Sequence, residues 1–91
     1  MYHITEYTYK QAKKIGVTVK PSTVKDKKID VFRNGEKIAS VGGAGYLDYP
    51  NYIKEKGIEY ANNRRKLYKL RHEKDRHKKW SRSWLADQLL W

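Results

Sequence analysis

The chain has no cysteine, so neither a disulfide framework nor a thiolate-ligated zinc site is open to it. No apolar run approaches the roughly 20 residues that a membrane-spanning helix needs. The opening residues, Met1-Tyr2-His3-Ile4-Thr5-Glu6, lack the apolar stretch of a secretion signal. The expectation is a protein that neither enters a membrane nor is secreted by the usual route. No internal repeat is visible. Acids are scarce: ten Asp and Glu stand against 21 Lys and Arg, for a net charge of +11. They are also scattered, with Asp26, Asp30 and Asp48 in turn-like or strand positions, and no carboxylate pair is placed for a two-metal nuclease. The segment from His72 through Glu73 to His77 suggests a zinc-protease helix, but its histidines are five apart. On a helix they diverge by about 140° and cannot grip one ion as an i, i+4 pair does. The chain is therefore expected to be no enzyme and to carry no metal or other cofactor.

What is present is basic charge and aromatic bulk. Ninety-one residues support one domain, 1–91, with a small core. Twelve aromatics, eight of them tyrosine, argue for folding over disorder. Between Arg64 and Arg82 lie ten Lys or Arg residues and only two acids, Glu73 and Asp75. Arg65, Lys69, His72, Arg76 and Lys79 recur at spacings of four, three, four and three. At about 100° per residue they share one face of a helix, while Tyr60, Asn63, Leu67 and Leu70 share the opposite one. The pattern predicts an amphipathic helix, with its apolar side fixed to the protein and its cationic side in solvent.

The expected fold class is α+β. Thr8 and Gln11 read as a capping box opening a short helix near 9–15, which Gly16 stops. A β-hairpin is expected over about 28–41, with its turn at Asn34-Gly35, because a type I′ turn needs positive φ at both central residues. Residues 17–20 offer the only further strand for it to pair with. Asp48 and Pro50 open a long basic helix, about 50–78, with a bend or pause at Gly57. A short C-terminal helix follows, from Trp84 to Leu90, capped by Ser81 or Ser83. Trp80, Trp84 and Trp91 are spaced to dock that hook onto the long helix or onto a second copy of the chain.

Arginine meets phosphate with a bidentate fork and lysine with a mobile point charge. The expected site is a nucleic-acid-binding surface made of Arg64, Arg65, Lys66, Lys69, Arg71, His72, Arg76, Lys78, Lys79 and Arg82. A polyanion is the expected partner, DNA ahead of RNA, gripped by its backbone without base reading. An acidic protein surface is the competing partner. Most of the tyrosines are assigned to a half-wet core, and Gly42-Gly43-Ala44-Gly45 to a flexible link from strand to helix.

Several stretches carry a resemblance. They are the run from Lys28 to Gly42, Gly45-Tyr46, Asp48-Tyr49-Pro50, and Tyr52 to Gly57. Arg64 to Lys69, Arg71 to Arg76, Ala86-Asp87 and Leu90-Trp91 complete the set. Over about residues 7–91 the chain resembles a family of small basic proteins encoded by large double-stranded DNA viruses of algae and protists. The resemblance implies a setting rather than an activity. It places a viral protein in the virion or the infected host cell (nucleus or cytoplasm), where it would condense or package the genome. The alternative it implies is a structural or minor capsid component that binds virion proteins or a second copy of itself.

Overall fold

A computed structural model describes residues 2–91. Its elements are α1 (Glu6–Ile15), β1 (Thr18–Pro21), β2 (Lys27–Arg33), β3 (Glu36–Gly43), α2 (Tyr49–Lys56), α3 (Ile58–Arg71) and α4 (Arg82–Leu90). The class is α+β, in the expected order. The chain gathers into two compact units, Met1–Tyr46 and Leu47–Trp91.

In the first unit α1 begins a turn earlier than expected. Its cap is Thr5, whose hydroxyl accepts from the Thr8 N–H at 3.3 Å. Thr8 belongs to the helix body because Ile4, Thr8 and Ala12, four residues apart, form one buried face. Gly16 ends the helix at φ 79°, a left-handed conformation that costs glycine little.

The three strands form an antiparallel sheet in the order β1-β2-β3. Asn34 and Gly35 both have positive φ, 54° and 79°, as the two-residue turn requires. A turn centred there pairs Arg33 with Glu36 and Phe32 with Lys37, but beyond it the register slips by one at a bulge. Asp30 then meets Ser40, and Ile29 meets Val41. Without the slip Ile29 would face Ser40 and Asp30 would face Ala39, mixing apolar and polar partners. The bulge leaves Ile38 unpaired and 40% exposed. One face of the sheet thus collects Val19, Ile29, Val31 and Val41, all buried.

Asp30 occupies the other face and is only 4% exposed. Burial alone would raise its pKa. The hydroxyls of Ser22 and Ser40, each donating at 2.6 Å, the Thr23 N–H and the charge of Lys37 at 3.5 Å outweigh that. The carboxyl is held at about 2, against an ordinary 3.8.

In the second unit Asp48, itself buried, caps α2 by accepting from the Asn51 N–H and side-chain amide. Gly57, at φ 92° and ψ 165°, separates α2 from α3 in a conformation that side-chain-bearing residues avoid. The long helix expected to reach residue 78 ends at Arg71. Continued, it would stack Arg71, Lys74 and Lys78 as like charges at i+3 and i+4. Residues 72–81 instead form successive turns, including Asp75 N–H to His72 O (3.1 Å) and Ser81 N–H to Lys78 O (3.1 Å), with Trp80 left-handed at φ 71°. Ser81 caps α4 through its hydroxyl, which accepts from the Trp84 N–H. Among the described residues no helix is long and apolar enough to cross a membrane.

Because the Asp30 pKa is depressed on folding, its contribution to stability is complete above pH 4 and is lost as pH falls through about 2. A shift of this size corresponds to about 2 kcal/mol. Urea unfolding measured from pH 6 down to pH 2 should show this decline, and Asp30→Asn should flatten it while lowering stability at pH 6.

Candidate polyanion interface

The helical phase expected for α3 is present, but its two sides are exchanged. Ala61 and Tyr68 are buried on the inward side, and Arg64, Arg65, Lys69 and His72 are half-buried around them. Tyr60 and Leu67 are each 46% exposed and Leu70 64%. The basic stripe faces inward because the unit supplies acceptors and ring faces for it. Arg65 Nε donates to the backbone oxygen of Trp91 at 2.7 Å, and its guanidinium lies 3.5 Å from the Tyr49 ring centroid. Lys69 Nζ donates to Asp87 Oδ1 at 2.7 Å, while Arg76 Nη1 approaches Asp87 Oδ2 at 3.7 Å. The Asp87 side chain is 4% exposed, so the two cations neutralise a charge held away from water.

Arg64, beside the stripe, and His72, within it, are also committed, whereas Lys79 is exposed. Arg64 lies over the Tyr52 ring at 5.6 Å, its Nε buried without a hydrogen-bond partner. His72 packs on Tyr68 at 4.4 Å between ring centroids, with Nδ1 3.6 Å from Asp75. Glu73 accepts from Arg76 and pairs with His77 at 2.7 Å. The hydrogen bond with His77 is the main reason its carboxyl lies below the usual range.

An aromatic cluster ties α4 to the rest of the unit. Trp91 stacks on Tyr68, with centroids 4.5 Å apart and planes within 10°, and lies 6.0 Å from Tyr52. Of the three tryptophans expected to dock the hook, Trp91 stacks on α3, while Trp80 and Trp84 pair with each other. Burial raises the Tyr68 pKa to about 12, helped by the charges of Asp87 and Asp75. Tyr49 is buried too and donates its hydroxyl to Asn62 at 2.8 Å. Tyr9, Tyr46 and Tyr60 are exposed, so the core reading of the tyrosines holds for only part of the set.

Of the ten basic residues between Arg64 and Arg82, the exposed ones are Lys66, Arg71, Lys74, Lys78, Lys79 and Arg82. Five of these belong to the expected site. Lys74 does not, and the structure adds it. The residue most clearly missed is Asp87. Its signal is a lone acid in the apolar stretch Leu85-Ala86-Asp87-Gln88-Leu89, a place where a carboxylate needs a cation. Among the described residues no group of three or more His, Asp or Glu side chains could hold a metal ion.

No family model, curated protein or solved structure matches the chain.

Charge changes at Arg65 and Lys69 test the fold, not a surface. Asp87→Ala should lower the stability of this unit by about 2–3 kcal/mol, less than a fully buried pair because Lys69 keeps some access to water. Arg65→Glu combined with Lys69→Glu should unfold it, as read by loss of near-ultraviolet circular dichroism from the Tyr68–Trp91 stack.

Proposed function

We propose that this protein binds the nucleic-acid backbone without reading sequence, with duplex DNA the first substrate to test. Its setting, following the resemblance, is the condensation or packaging of a viral genome. The observation that carries this reading is the exposed set Lys66, Arg71, Lys74, Lys78, Lys79 and Arg82, whose charge the unit's own acids leave available. Glu73, Asp75 and Asp87 are engaged with Arg76, His77, His72 and Lys69. Exposed Glu73 and Asp75 lie in the same segment but pair with Arg76, His77 and His72, so the six cations outnumber them there. Four of the six lie in the turns 72–81 or at the start of α4, where separate side chains reach separate phosphates.

A second reading has its own observation. Tyr60, Leu67 and Leu70 form an exposed apolar stripe on the outward side of α3. It supports a structural virion component that binds another protein through that side.

Titration with duplex DNA at increasing salt separates the two. With five or six phosphates neutralised, log affinity should fall against log salt with a slope of about −5. Lys74→Glu with Lys78→Glu should weaken binding and reduce the slope by about 2, leaving the unfolding midpoint unchanged. Leu67→Ser with Leu70→Ser should leave DNA binding intact and abolish only protein association. Binding that is independent of salt would overturn the backbone reading.

A further inference from the structure

Trp80 is the one bulky residue held at positive φ among the described residues, at 71°. The other two non-glycine positions of this kind are Asp26 and Asn34, whose short polar side chains tolerate the left-handed region in turns. A tryptophan there is strained, and glycine or asparagine would close the same turn without strain. Strain of this sort persists where the surroundings impose it, and it clusters at binding sites. Trp80 and Trp84 are each half-buried, keeping part of their surface in solvent, and form a tilted pair, centroids 5.0 Å apart and planes at 57°. Exposed Lys78, Lys79 and Arg82 flank the pair in sequence, and the Lys79 ammonium lies 5.6 Å from the centre of the Trp80 ring. Aromatic faces beside backbone-binding cations are what single-stranded nucleic acid requires.

Resting on the backbone reading above, we infer that the Trp80–Trp84 pair is a stacking site for an unpaired base, with Lys78, Lys79 and Arg82 taking the flanking phosphates. A base enters on the face of Trp80 that Lys79 now overlies, and Lys79 moves to the phosphate of that nucleotide. The chain then holds single-stranded nucleic acid more tightly than duplex at equal salt, because paired bases offer no free face.

The test uses the full chain with an oligothymidylate and a duplex of matched charge. Oligothymidylate should quench tryptophan emission and bind more tightly than the duplex. Trp80→Gly removes the ring while giving the left-handed position to the residue that suits it. It should therefore fold with an unchanged or higher unfolding midpoint, yet lose about 10-fold or more in single-strand affinity. Its duplex affinity should not change. Trp80→Phe, which keeps a stacking face, should retain most of the single-strand preference. Absence of quenching in the unaltered chain overturns the inference whether or not the glycine variant folds, as does an equal loss for both substrates. If duplex binding keeps its salt slope in that case, the backbone reading stands alone; if neither substrate binds, both fall.

Discussion

The second unit depends on the placement of one carboxylate. Asp87 sits out of water on the last helix and accepts from Lys69 and, at longer range, Arg76. Buried charge is tolerable only when paired, so the fold must bring basic residues to it from two directions. That requirement turns the basic side of α3 inward and draws the chain after Arg71 out of helical continuation toward α4. Arg65 does related work at the far end, holding the Trp91 backbone oxygen while Tyr68 stacks on its ring. The part of the sequence that looks most like a surface is in large measure the interior wiring of a helical unit.

This division shapes what the protein can offer a partner. Charge counting treats ten basic residues as equivalent, whereas the geometry divides them into four internal and six exposed. The exposed six are concentrated after α3, where turns replace helix. The exposed charge is therefore not a rigid rail but a set of side chains on a bent segment, next to two half-buried indoles. On the outward side of α3, exposed leucines stand where a uniformly cationic strip is expected.

Much of the fold was legible in the sequence because short-range chemistry decided it. Asn34-Gly35 demands its turn, Gly16 and Gly57 supply conformations others avoid, and Asp48 and Ser81 cap the helices they precede. The phase of α3 was legible for the same reason. Which side of α3 faces in was not, because periodicity fixes the angle between two stripes and says nothing of which finds partners. The partners, Asp87 and Trp91, lie about twenty residues away. The end of α3 was hidden for a similar reason: each residue from His72 to Lys79 is tolerable in a helix alone, and their mutual repulsion with the pull of Asp87 decides against it. In the sheet, the turn by itself would set Ile29 against Ser40 and Asp30 against Ala39, and the demands of Asp30 for Ser40 and of Ile29 for Val41 select the slipped register.

That selection has a consequence for chain length. Ile38 is the residue by which the two registers differ, pairing with nothing across the strand. Excising it would join Lys37 directly to Ala39. Phe32 would still meet Lys37, Val31 the alanine and Asp30 the serine, now along an unbroken ladder. The hairpin thus contains a place where a codon can be lost without changing any partner, whereas loss of either neighbour would close the same ladder only by putting Ile38 in that neighbour's position. Natural variation in the length of this strand should accumulate at that position.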